Sequence, residues 1–229
     1  MHEPQEALVE PSPGVTWRAF FMGLICSALV AAGTQYGEIY LRSSRMSDDF
    51  STGGALFVFF FLVAVINVIL KLMGPKVAFN AGELILIYIM MMTSCAVTGM
   101  GLTHYQIPLM ATLHYFSTPE NNWANLVGPH VSGWMIVDDP EAAKYFFEGL
   151  PEDMPIPWAV WLKPFAYWSL FFGAFYFTMI ALMVILRKQW THNERLIYPI
   201  IQAPLDMIGD ESKDGLLSGF FKNPVMWLG

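Results

Sequence analysis

Asn80 and Glu83 stand three residues apart at the start of an apolar run, so a helix beginning there carries both on one face. A carboxylate at the edge of a membrane-crossing helix is costly unless it is used or satisfied. Two chemistries suit the pair. A proton-coupled carrier needs a carboxylate that changes charge as its site opens, and Glu83 has the type and place for that. A helix start equally favours an acidic side chain against its macrodipole, with an Asn as cap. Residue types alone leave both open. Asn67 lies inside another apolar run, where an amide either bonds across a helix interface or touches a solute. Glu194 and Arg195, with Asn193, follow the last long apolar run and precede Pro199 and Pro204. That stretch suits either a broken re-entrant helix lining a cavity or a plain cytoplasmic linker. Asn67, Asn80, Glu83, Glu194 and Arg195 are thus the candidates for substrate contact or proton coupling.

Other chemistry lacks its residues. His104, His114 and His130 lie at or beyond the end of a run, whereas membrane haem takes its axial ligands from within a bundle. No His or Cys pair has zinc-ligand spacing. Met90, Met91 and Met92 suit packing better than copper. No metal or other cofactor is expected. There is no nucleophile elbow, phosphate-binding Gly loop or zinc-protease motif, so no catalytic residue is assigned and an enzyme is not expected.

The elements that must position these residues follow from composition. Of 229 residues, 55% are hydrophobic and 14% charged, against about 25% charged in soluble domains. A soluble surface cannot be built from that. The net charge of −7, with no dense basic block, excludes a nucleic-acid footprint. Helical membrane spans need about 20 apolar residues, and four runs qualify: 17–36, 55–73, 84–101 and 165–186. The expected fold is therefore all-α, a polytopic transmembrane helix bundle of four spans with the start of a fifth at the C-terminal end. Its parts are a cytoplasmic leader (1–16), three spans (17–102), a partly helical outer loop (103–164), the fourth span (165–186) and a cytoplasmic or re-entrant segment (187–229).

Within the outer loop, 107–116 is apolar enough to lie in the interface, and 141–150 has the pattern of a short amphipathic helix. Eight of the twelve Lys and Arg residues fall on one side when the N-terminus is placed inside, which orients the chain as a multi-pass protein of the inner (plasma) membrane with a cytoplasmic N-terminus. Trp17, Trp190, Trp158 and Trp161 suit the two aromatic belts. Gly23, Ser27 and Ala31, Cys95 and Gly99, and Ser169 and Gly173 recur at four-residue spacing, a pattern that lets helix backbones approach. Cys26 and Cys95 read as small packing residues rather than a disulfide.

Gly74-Pro75, Phe79-Asn80 and Glu83 together resemble the signature near the N-terminus of the oligopeptide transporter (OPT) family, with wider spacing after Pro75 and Leu84 where that family carries His. The stretch 190–205, with Trp190, Asn193, Glu194, Arg195, Tyr198 and Pro199, followed by 222–229, is similar to a large bacterial and archaeal family of uncharacterised multi-span proteins distantly related to those transporters. The resemblance implies a longer parent with more helices, of which this chain is the N-terminal part. It also implies proton-linked movement of peptides or metal chelates.

The expected function is that of all or part of a secondary transporter for small peptides or related solutes, proton-coupled through Glu83. The alternative is a non-catalytic structural subunit of a larger membrane complex. The expected partners are the lipid bilayer and further membrane subunits or a second copy of the chain.

Overall fold

The computed structural model describes residues 15–43, 45–47, 53–99, 102–194, 198–209 and 215–228. Most of the expected leader, Arg195 and part of the 206–213 linker lie outside these. The fold is all-helical among the described residues. Four stretches are long and apolar enough to cross a membrane: Trp17–Tyr40, Gly53–Met73, Ala81–Tyr115 and Trp158–Thr191. The chain divides into two compact units, one of Met1–Thr103 with Tyr198–Gly229, the other His104–Ile197.

In the first unit, α1 (Trp17–Gln35) runs on into a π-helical turn at Tyr36–Tyr40. A second rod comprises α2 (Gly53–Phe61), a π-helical turn (Leu62–Ile66) and α3 (Asn67–Met73). After a tight turn comes α4 (Ala81–Thr98). The contacts between α1 and α4 rise together along both helices. Arg18 meets Glu83, Gly23 lies against Met90, Ser94 Oγ donates to the Ser27 carbonyl at 3.0 Å, and Gln35 Nε2 donates to the Thr98 carbonyl at 2.8 Å. The two helices are therefore parallel, and α2–α3 runs antiparallel to both. The buried stripe of α4 is Glu83, Leu84, Ile87, Tyr88, Met91 and Cys95, the spacing of one helical face. It meets Cys26 and Val30 of α1 and Phe59 and Leu62 of the second rod in one core.

The small residues divide by location. Gly23 and Ser27 face α4 as their spacing predicts. At Gly173 a Cβ would meet nothing within 4 Å, and Ser169 is exposed.

The C-terminal part of this unit is neither wholly linker nor a completed span. Here α9 (Pro199–Ile208) buries Met207 and Ile208 in the same core. Two short helices follow, α10 (Gly219–Lys222) and α11 (Pro224–Leu228). Phe221 and Trp227 pack on Phe60, in the middle of the second rod, and Trp227 Nε1 donates to the Phe221 carbonyl at 3.0 Å.

The second unit begins with α5 (Thr103–Tyr115), then α6 (Trp123–Leu126), α7 (Pro140–Glu148) and α8 (Trp158–Lys188). The start of α7 is set by Asp139, whose carboxylate accepts from the Glu141 and Ala142 amides. The core here is small. Met110, Val137 and Ala142 are packed by Ile107, Val160, Trp161 and Trp168, and Val137 N donates to the Met110 carbonyl at 2.9 Å. The longest helix, α8, starts two turns before the run 165–186. Its Pro164 is internal and buried in the second turn, where the missing amide leaves the Val160 carbonyl without its helical donor. None of its most apolar window is buried within the protein.

Gly99 makes the tightest backbone approach. A Cβ there would stand 2.2 Å from the Ser47 carbonyl oxygen and 3.0 Å from that of Cys95. Both are backbone atoms and cannot swing aside. Gly99→Ala should destabilise the first unit by roughly 1–3 kcal/mol, the usual cost of overpacking. Gly23→Ala presses chiefly on the flexible end of Met90 and should cost less, and Gly173→Ala, mid-helix with open space around it, should be neutral to stabilising by up to about 1 kcal/mol. Thermal midpoints of the three variants purified in detergent check the ranking.

Candidate functional site

The turn between α3 and α4 is the most elaborately held segment of the first unit. Asn67, at the start of α3, faces this turn from within the bundle, 3% exposed. Its Oδ1 accepts from the Phe79 amide at 2.8 Å and its Nδ2 donates to the Phe79 carbonyl at 3.3 Å. One side chain thus satisfies both backbone groups of one residue. The π-helical turn Leu62–Ile66 directly precedes Asn67, and its extra residue sets the direction in which the amide leaves the rod. The Phe79 ring in turn lies 5.4 Å from the Arg18 guanidinium carbon, within cation–π range.

Asn80 is the N-cap of α4. Its side chain accepts from the Glu83 amide at 2.9 Å, and Glu83 Oε2 accepts from the Asn80 amide at 3.0 Å. This is a reciprocal capping box. Glu83 does more than cap. Its Oε1 accepts from Arg18 Nε at 2.7 Å and from the Thr16 hydroxyl, and its Oε2 accepts from Arg18 Nη2 at 2.6 Å. The four lone-pair positions of the carboxylate are all used. Thr16 is itself the N-cap of α1, so one carboxylate ties the starts of two parallel helices.

Arg18 is equally spent. Nη1 donates to the carbonyls of Lys76 and Val77 at 3.1 and 3.0 Å, and Nη2 donates to that of Ala78 at 2.9 Å. With the fork to Glu83, all five guanidinium N–H groups are engaged. Lysine, a point charge with three donors, has no equivalent geometry. Glu83 has no exposed surface, whereas the Arg18 side chain is 43% exposed, so the pair sits at the edge of the unit with its anion inside.

Asn67, Asn80 and Glu83 therefore come together, joined by Arg18 and Thr16, which residue spacing did not reveal. The signal for Arg18 was a single cation in the first turn of a span, against the favourable direction of its own helix dipole. Glu194 stands in the other unit, at the end of the π-helical turn Gln189–Asn193, where it accepts from Gln189 Nε2 at 3.2 Å in an exposed position. Arg195 lies outside the described residues. Among those described, no three His, Cys, Asp or Glu side chains gather as a metal site.

A second feature that spacing missed is an apolar cavity of about 540 Å³ in the second unit, between α5, α7 and the start of α8.

The clamp makes a stability prediction. Glu83→Ala strips Arg18 of its anion, and since water reaches Arg18 the cost should fall at the low end of the roughly 3–5 kcal/mol seen for broken buried pairs. Asn67→Leu leaves the Phe79 amide and carbonyl without partners, at about 1–3 kcal/mol. Because both residues hold one turn, the double variant should lose less than the sum of the two. Thermal unfolding in detergent measures all three, and additive losses would show that the turn is not one unit.

No curated protein matches the chain, and no solved structure does. Residues 9–229 match a family of unknown function, DUF6785, and the chain belongs to that family.

Proposed function

We propose that this membrane protein is part of a secondary transporter for small peptides or related solutes, proton-coupled and seated in the inner membrane with its N-terminus cytoplasmic. The observation that carries the reading is a carboxylate with no exposed surface that bridges the starts of two membrane-crossing helices. Glu83 is then a latch rather than an open proton port. Protonation removes the charge that Arg18, Thr16 and the Asn80 amide all address, so proton uptake and release of the 74–80 turn are one event. The likeness of Gly74-Pro75, Phe79-Asn80 and Glu83 to the oligopeptide transporter signature supports the substrate class, and the excess of Lys and Arg on one side supports the orientation.

The test is uptake of labelled dialanine into proteoliposomes holding the full chain. A proton gradient should drive accumulation in the native protein. Glu83→Gln should abolish that accumulation while leaving exchange between labelled and unlabelled peptide. Gradient-driven uptake unchanged by Glu83→Gln would refute the latch, and no uptake by the native protein would refute peptide transport.

A structural-subunit reading is favoured by a different observation, the bare apolar length of α8. It expects stoichiometric partner polypeptides on native purification, identified by mass spectrometry, and no solute flux by the chain itself.

A further inference from the structure

The cavity of the second unit has a size typical of ligand sites, which run from about 300 to 1,000 Å³. Ile107 of α5, Tyr145 and Phe146 of α7, and Trp158, Trp161 and Phe165 of α8 are among its lining residues. Every residue of the lining is uncharged, and the only polar side-chain atoms it offers are the Tyr145 hydroxyl and the Trp158 and Trp161 indole nitrogens. A peptide or other zwitterion would lose hydration at both charged ends there and gain no ionic partner, a heavy penalty. A hydrocarbon chain needs no partner.

The position of the cavity argues for the same occupant. Its α8 wall is the first two turns of the candidate span Trp158–Thr191, so it opens where that helix enters the membrane. Tyr145, Trp158 and Trp161 have the amphipathic rings that settle at the boundary between headgroups and acyl chains. The roof is an interfacial helix by its own pattern. On α7, Ala142 and Ala143 are buried, while Glu141, Lys144 and Glu148 take the outer side, with Lys144 Nζ 3.8 Å from Glu148 Oε2. Such a helix lies flat with its apolar face in the acyl region. Beyond the cavity the rest of α8 also carries exposed apolar side chains, among them Leu170, Phe171 and Phe177.

We propose that this cavity seats one acyl chain of a membrane phospholipid, drawn upward from the leaflet along α8 and under α7, with the headgroup left outside. The proposal is independent of the transport reading.

Phosphatidylcholine vesicles carrying a diazirine at mid-chain, with the full protein reconstituted in them, provide the probe. Irradiation and peptide mapping should place adducts on Ile107 and Tyr145, inside the cavity, as well as on the outer face of α8. Ile156→Trp fills the cavity from its exposed loop side, where Ile156 is 54% exposed, and should leave folding intact. It should reduce labelling of Ile107 and Tyr145 severalfold while labelling of Phe177 is unchanged. Adducts confined to α8 below Phe165 would overturn the proposal. So would labelling of Ile107 that Ile156→Trp does not alter. A photo-crosslinker at Ile156 that captures a second copy or another polypeptide in place of lipid would overturn it as well.

Discussion

Two parallel helices bring their positive dipole ends side by side, and this protein places a cation there as well. The first turn of α1 carries Arg18, and α4 begins beside it. Each helix start contributes the equivalent of roughly half a positive charge, so the arrangement is unstable without an anion among them. Glu83 is that anion. Its burial is tolerable because every lone pair is met, and the turn 74–80 is tolerable because its carbonyls find the guanidinium. Near a membrane core, backbone groups outside a helix need partners supplied by the protein. The Arg18–Glu83 fork and the Asn67 amide supply them for this turn.

The rest of the first unit is built to keep these groups in register. Gly23 lets Met90 close on α1, the Ser94 hydroxyl reaches the Ser27 carbonyl, and Gln35 closes the far end on Thr98. The second rod brings Asn67 back to the same end by running antiparallel. The second unit follows a different logic. Its buried cluster is small, its aromatic contacts are many, and its long helix α8 presents apolar surface outward along its length.

The spans were legible because an apolar run of about twenty residues has few alternatives, and the capping box was legible in the Asn80–Glu83 spacing. The partner of Glu83 was not, since nothing in a local pattern says which of twelve basic residues folds back across 65 positions. Asn67 showed its polarity but not its target, because the extra residue of the Leu62–Ile66 turn alters the face it occupies. The start of α8 at Trp158 is not legible in the sequence because Pro164 resembles a helix boundary. In the structure it is an early helical residue, and the helix absorbs it. The stretch after Pro199 was ambiguous between linker and re-entrant helix because its amphipathic pattern is short. Only the burial of Met207 and Ile208 against the bundle shows that it docks.

The fork has a mechanical consequence. Sliding α1 along α4 by a single residue rise, about 1.5 Å, would break the guanidinium contacts to Glu83, Lys76, Val77 and Ala78 together. With the fork closed, α1, α4 and the turn that leads into α4 are held as one piece.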